Sequence, residues 1–202
     1  MLNGTGIQTI PQQIAEQITK DILTGIIEQD APLREQELSE RFGVSRGPIR
    51  AALQQLSKEG LVIAVPNVGV RVAPHPSDEV RPIIAQMREI IEEFALKMVF
   101  DKITDEVIQH LESGLEKMRQ ACEQHDIHEL QEQDRMFHGT FIKLYGEERL
   151  FTIWYSMFTW MVFRYGRHEN LMESYYEHQK LLTAIKDGQK DRAVELLRAN
   201  IQ

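Results

Sequence analysis

The sequence has a single cysteine, Cys122, so no intrachain disulfide can form and a reducing cytoplasm suits it. It has no run of the ~20 apolar residues that a membrane helix needs. The longest uncharged stretch, Leu150–Phe163, is too short to span and reads as a buried helix. Met1–Gly6 lacks the basic and apolar regions of a signal peptide, which also predicts a cytoplasmic protein. Low-complexity tracts and internal repeats are absent, so the 202 residues are expected to pack as one large or two modest domains. There is no H-E-x-x-H, no pair of E-x-x-H motifs, no Gly-rich loop after a strand and no Ser, His or Cys constellation offering a nucleophile. An enzyme, including a metallohydrolase or di-iron enzyme, is therefore not expected. Positive charge is also short: 23 Lys and Arg face 31 Asp and Glu, for a net charge of −8, which argues against RNA coating or a membrane-surface role.

The basic residues are unevenly placed. Between positions 41 and 76, Arg41, Arg46, Arg50, Lys58 and Arg71 stand against a single acid, Glu59, a local surplus suited to phosphates. The same region carries a pattern. A short helix with Leu38 and Phe42 on one side runs into Gly43-Val44, and a second helix starts at Ser45, a favoured N-cap. Pro48 falls in its first turn, where no backbone N–H is missed. Ile49, Leu53 and Leu56 keep the spacing of a buried face. Two helices joined by a tight Gly-containing turn make a helix-turn-helix. Arg46 and Arg50, four residues apart in the first turns of its second helix, sit where a recognition helix meets base edges and phosphates. The β-branched runs Leu61–Val65 and Val70–Ala73, around Pro66-Asn67-Val68-Gly69, predict a hairpin wing. Ile14, Ile18, Ile22 and Ile26, four apart, predict an amphipathic first helix backing the pair.

The stretch Gly43-Val44-Ser45-Arg46-Gly47-Pro48-Ile49-Arg50-Ala51-Ala52-Leu53, followed by Glu59-Gly60-Leu61-Val62, resembles the signature of GntR-type bacterial transcription regulators. The resemblance covers nearly all of residues 7–74. It implies a winged helix-turn-helix in which Arg46 and Arg50 contact DNA and Gly69 forms the wing tip. Ser45 and Gly47 lie at the start of the same helix, Ser45 as both cap and phosphate contact. Before Glu37-Leu38 the family usually has another DNA-contacting arginine; here the position is Gln36, with Arg34 two residues earlier, and either could make that contact. Arg41 and Lys58 are expected to be solvated or to position phosphates.

Ala73-Pro74-His75-Pro76-Ser77-Asp78 marks a boundary, giving a DNA-binding domain over 1–74, a linker over 75–80 and an all-helical domain over 81–202. The fold class expected is mainly α, a winged helix-turn-helix followed by a bundle of six to seven helices. Ile83, Ile84, Met87, Ile90, Ile91, Phe94 and Met98 make the first apolar stripe of that bundle. Leu111, Leu115 and Met118 begin the next, and Asp187-Gly188-Gln189-Lys190 joins the last two helices. The methionines, Met87 and Met98 among them, read as packing residues.

One constellation in the second domain could carry chemistry. Asp134 and His138 are an i, i+4 pair on one helix. His178 and Asn200 lie at nearly equal distances on either side of the 187–190 turn, and so at one height if the two helices are antiparallel. A carboxylate and two imidazoles suit Zn, Ni, Mn or Fe, although a D-x-x-x-H pair is common by chance and spacing alone leaves ordinary surface or core residues open. Asp134-Arg135-Met136-Phe137-His138 together with Glu177–Ile185 resembles the effector domain of the FadR branch of GntR regulators, an all-helical bundle that in many members holds a metal by one Asp and three His. Asp134, His138 and His178 match three of those positions, and Asn200 stands at the fourth. The resemblance implies a small carboxylate or sugar-acid effector, with Arg88 as its basic partner; a salt bridge from Arg88 to Glu92 is the plain alternative. Arg164, after the apolar helix, is a second candidate for the effector.

The expectation is thus a homodimeric, ligand-responsive regulator, a repressor by analogy, on a palindromic double-stranded DNA operator. A divalent transition metal is the candidate cofactor. The alternatives are a metal-free pocket for an apolar or acyl ligand, and a bundle that only dimerises.

Overall fold

The computed structural model describes residues 8–66, 68–74, 77–162 and 170–201. The chain divides into two compact units, Met1–His75 and Pro76–Gln202.

The first unit begins with α1 (Ile10–Leu23), where Gln12 Oε1 accepts a hydrogen bond from the Thr9 backbone N–H at 2.8 Å and Pro11 opens the first turn. Ile14, Ile18 and Ile22 are buried, but the helix stops short of Ile26, which is 71% exposed and follows Gly25 in a left-handed conformation. The four-residue repeat therefore overruns the helix by its last member. A short strand β1 (Pro32–Leu33) leads into α2 (Glu35–Phe42). Gly43, at φ 65°, ends α2 and turns the chain toward α3 (Arg46–Lys58), with Ser45 at the N-cap position in extended backbone. The Ser45 side chain makes no capping hydrogen bond, so the capping role expected of it is not met. Ile49, Ala52, Leu53 and Leu56 of α3 are buried, and α3 packs on α1. The hairpin β2 (Val62–Val65) and β3 (Gly69–Val72) forms as expected, pairing Val62 with Val72 and Val65 with Gly69. The sheet has a third strand that the hydrophobic pattern did not reveal: β1 lies on the far side of β3, pairing Leu33 with Val70.

Among the described residues the second unit has six α-helices: α4 (Arg81–Val99), α5 (Asp105–Gln124), α6 (Ile127–Tyr145), α7 (Glu148–Val162), α8 (Met172–Lys186) and α9 (Lys190–Ile201). Asp126 caps α6 by accepting from the Glu129 backbone N–H at 3.0 Å. Leu96, Val99, Leu111, Met118, Leu130, Phe141, Trp154, Phe158, Leu181 and Leu197 form the shared core.

Helix α4 departs from its expected role. Ile83, Met87, Ile90, Phe94 and Met98 are 57, 46, 68, 43 and 50% exposed, while Arg88 and Glu92 are buried beside Ile84, Ala95, Leu96 and Val99. Five of the seven stripe residues are exposed, while Ile84 is buried, Ile91 packs against the core and two charges face into the bundle. Met87 and Met98 are thus not core packing residues, whereas Met118 and Met157 are buried.

Candidate functional site

Five helices converge on one buried polar cluster. Asp134 and His138 come from the middle of α6, His178 from α8, Asn200 from the last turn of α9, and Arg88 and Glu92 from α4; α7 closes it with Trp154 and Phe158. Each needs an uninterrupted helix to hold its height, which the i, i+4 spacing of Asp134 with His138, and of Arg88 with Glu92, supplies.

His138 Nε2 lies 3.2 Å from His178 Nε2 and 3.7 Å from Asp134 Oδ1, and His178 Nε2 lies 3.0 Å from the same Asp134 oxygen. Asn200 Oδ1 is 2.8 Å from His138 Nε2. Ligands at about 2.1 Å from one ion sit about 3–4 Å from each other, so these separations are those of a common coordination sphere. Of the four groups brought together, Asp134, His138 and His178 were legible as a cluster from sequence, and Asn200 stands beside them.

The far sides of both rings are committed. His178 Nδ1 donates to the Ser174 carbonyl at 2.8 Å. His138 Nδ1 lies 2.5 Å from Glu92 Oε2, a charge contact rather than an aligned hydrogen bond, since neither atom has a hydrogen-bond partner. The Ser174 carbonyl can only accept, so His178 Nδ1 carries a proton; both Nε2 atoms face Asp134, Asn200 and each other, and with neutral rings protonated at Nδ1 they would offer lone pairs to a shared ion. The residues therefore fit a divalent metal: two imidazole nitrogens, one carboxylate oxygen and one amide oxygen, with outer partners that fix the ring orientation.

Electrostatics follow from burial. Burial pushes the Glu92 carboxyl up, but Arg88, His138 and the Trp154 N–H outweigh it and bring it down to about 2. Asp134 is likewise penalised by burial, yet His178, His138 and Arg88 hold it well below the usual carboxylate range. For His138 burial favours the neutral ring, and Glu92 and Asp134 together raise it above the ordinary histidine value.

Glu92 was visible in the sequence only as a salt-bridge partner. Its Oε1 accepts from Arg88 Nε at 3.0 Å and from Trp154 Nε1 at 2.6 Å. Arg88 thus makes the salt bridge to Glu92, through Nε and Nη2, and lies over the Phe158 ring at 4.6 Å. Arg164 lies outside the described residues. Glu177 Oε2 accepts from Asn200 Nδ2 at 3.2 Å, which turns the amide oxygen toward His138. Gly139 is a further residue that sequence reasoning passed over: a Cβ there would stand 3.1 Å from the Trp154 ring, so α6 and α7 approach this closely only because the residue after His138 is glycine.

The first unit presents a second, exposed surface. Arg46 hydrogen-bonds Gln36, and Arg50 is held by Glu35 through Nε and Nη2, each at 3.0 Å. Arg34 pairs with Glu37 at 2.7 Å. Helices α2 and α3 thereby preset their polar side chains at a common edge. A Cβ on Gly47 would meet only Ser45 Oγ, at 4.0 Å, and Gly69 has φ 105° with open space around it. Arg41 is different: it pairs at 2.5 Å with Asp21, which is buried, so it ties α2 to α1 rather than standing solvated.

A family model described as "Bacterial regulatory proteins, gntR family" matches residues 10–72, and one described as "FCD domain" matches residues 83–202. The chain is similar to the gluconate operon transcriptional repressor of Bacillus licheniformis, 26% identical over 200 residues that cover 93% of this chain and 80% of the relative. It is also similar to the HTH-type transcriptional repressor GlaR of Escherichia coli K12, 30% identical over 197 residues, covering 91% and 89%. Among solved structures, E. coli McbR/YncC superposes with a TM-score of 0.78 over 97% of this chain and 95% of that one; at 20% identity this is a likeness of fold.

Proposed function

Because this chain belongs to the GntR family of bacterial regulatory proteins, with an FCD domain as its second unit, and is a DNA-binding transcription regulator rather than an enzyme, we propose that it is a repressor whose hold on DNA is set by a metal-assisted ligand site. It binds a palindromic operator as a homodimer, each copy laying α3 in the major groove with Arg46 and Arg50 at base edges or phosphates. Gln36, bonded to Arg46, and Arg34 extend that edge, Ser45 and Gly47 let the phosphate backbone approach the helix start, and Gly69 carries the wing tip.

The observation that carries the effector half is the convergence of His138 Nε2, His178 Nε2 and one Asp134 carboxylate oxygen, 3.0 to 3.7 Å apart. Asp134, His138 and His178 would hold a divalent transition metal, with Asn200 as an oxygen donor in the fourth position. The bound metal supplies a Lewis-acid point for an oxygen ligand. Arg88 offers Nη1 to a carboxylate, while Nε and Nη2 remain with Glu92. The effector class this supports is a small carboxylate or sugar acid, in keeping with a relative named for the gluconate operon. A ligand can shift the regulator only by its differential affinity for the DNA-bound and free states.

The test is metal content by elemental mass spectrometry on protein purified without chelator or His tag, followed by operator release measured with a panel of small carboxylates. Near one metal per chain and release by one class of acid is the expected result. No metal after incubation with excess Zn, Ni, Mn and Fe salts overturns the metal assignment.

A further inference from the structure

Asn200 carries an amide, and an amide has two unlike ends: the oxygen accepts hydrogen bonds and the nitrogen donates them. Only the oxygen end can serve a cation. A half-turn about the last side-chain bond exchanges the two ends within the same space, so packing alone does not choose between them. The choice falls to the polar atoms around the group.

Glu177 makes that choice. It is half-buried on α8, one residue before His178, and its Oε2 lies 3.2 Å from Asn200 Nδ2. A carboxylate can only accept, so the NH2 end of the amide must face Glu177. The oxygen then points the other way, to within 2.8 Å of His138 Nε2 and the metal-binding cluster. The His178 ring, although its Nδ1 is 3.3 Å from Asn200 Nδ2, settles nothing, because its proton already goes to the Ser174 carbonyl. Reversing the amide would cost the bond to Glu177 and aim N–H donors at the ion. The levels of the two residues are set by the turn between α8 and α9, where the Gln189 N–H donates to the Ala184 carbonyl at 2.9 Å and Gly188 takes a left-handed conformation, φ 69°. A backbone feature thus brings a carboxylate on one helix to the amide on the next.

We propose that Glu177 is a positioning residue for the metal: by accepting from the Asn200 amide it keeps Oδ1 toward the ion, and so shifts the site's preference toward Mn relative to Zn. An oxygen donor suits Mn, whereas Zn is well served by the two imidazoles. The inference rests on the metal reading given under the proposed function. It assigns to a residue outside the coordination sphere the control of which ion enters it.

The test measures binding of Mn and of Zn to the full chain in metal-buffered solutions, with bound metal read by elemental mass spectrometry. Circular dichroism establishes that each variant is folded. Glu177→Gln removes the charge but keeps an acceptor for the amide; Glu177→Leu removes both. Glu177→Leu is also placed in an Asn200→Asp background, where both ends of residue 200 are oxygens and there is no orientation to control. The expected result is that Glu177→Leu weakens Mn binding about tenfold or more, the usual loss for an outer partner of a metal ligand, and Zn binding less. Glu177→Gln stays near wild type, and Glu177→Leu causes no loss in the Asn200→Asp background. Glu177→Leu binding both ions as wild type does overturns the proposal while leaving the metal site standing. An equal loss in both backgrounds, or a loss in Glu177→Gln as large as in Glu177→Leu, also overturns it, by showing that packing or charge rather than amide orientation is at work. A wild type that takes up neither ion overturns the metal reading and this proposal together.

Discussion

His138 and His178 turn their Nε2 atoms to each other at 3.2 Å while Glu92 and the Ser174 carbonyl occupy their Nδ1 sides. The proposed divalent ion would be held between these two nitrogens and the Asp134 carboxylate. Metal-loaded protein is therefore expected to melt at a higher temperature than chelator-treated protein, by the linkage term that reaches about 2.7 kcal/mol at a hundredfold excess over Kd. His138→Ala and His178→Ala should each abolish the shift, as calorimetry would record. An equal shift in both variants would place the metal elsewhere.

Asn200, its Oδ1 2.8 Å from His138 Nε2, is the proposed oxygen donor at the fourth position. Asn200→His should raise affinity for Zn and Ni relative to Mn, because imidazole suits those ions better than an amide does. Competition titrations followed by elemental analysis give the ratio. An unchanged ratio would remove Asn200 from the coordination sphere.

Arg46→Ala and Arg50→Ala are each expected to weaken operator binding by about 1–3 kcal/mol, with a base-reading arginine relaxing specificity and a phosphate-binding one lowering the salt slope by about 1. Arg41→Ala should behave differently. It leaves Asp21 buried without its ion-pair partner, so the variant melts earlier, whatever its effect on DNA. Fluorescence anisotropy at several salt concentrations, beside thermal melts, separates the two behaviours.

Gly139→Ala drives a methyl to 3.1 Å from the Trp154 ring, and Trp154 is the residue that donates to Glu92. A loss of about 1–3 kcal/mol is expected from such overpacking, with weaker metal binding as a second consequence. Gly114→Ala, whose nearest atom is Gln133 Oε1 at 3.4 Å, should be close to neutral in urea melts.

Glu93 is held down to about 2 by hydrogen bonds from Arg198 and Lys97, which outweigh the push of burial. Its folded value is thus below its ordinary 4.5, so the stabilisation is fully present above that pH and is lost as pH falls toward 2. Glu93→Gln should be less stable than wild type at neutral pH by under about 1 kcal/mol, since its partners are half exposed. The gap should close through the acid window, as melts from pH 7 to pH 2 would follow.

The recognition helix was legible because its signals are local: the Gly43 turn, the Ser45 start, Pro48 in the first turn and a regular buried face are all printed within a dozen residues. The Asp134–His138 pair was legible for the same reason. What could not be read was the direction in which α4 faces. A periodic apolar stripe ordinarily marks the buried side, and Arg88 read either as the effector's basic partner or as one half of an i, i+4 salt bridge with Glu92. Burial of that pair is tolerable only because His138 and Trp154 reach Glu92 from positions far away in sequence. The phase of Arg88, Glu92, Ala95, Leu96 and Val99, a second stripe of small, apolar and mutually paired residues, was the available signal. Likewise, β1 is too short to show an alternating pattern, and only its pairing with β3 defines it.

A helix is only about 10 Å across with its side chains, and on α4 the grip on His138 and the open apolar stripe occupy its two sides. A displacement of Glu92 by a ligand need not be relayed through the bundle to be felt at the surface. Under the proposed function, it would roll or slide the rod that bears both. Small changes in the acid bound at the histidines would be read out as changes in how one rod lies against another, and single substitutions on either side of α4 would retune sensitivity without touching the DNA-reading residues.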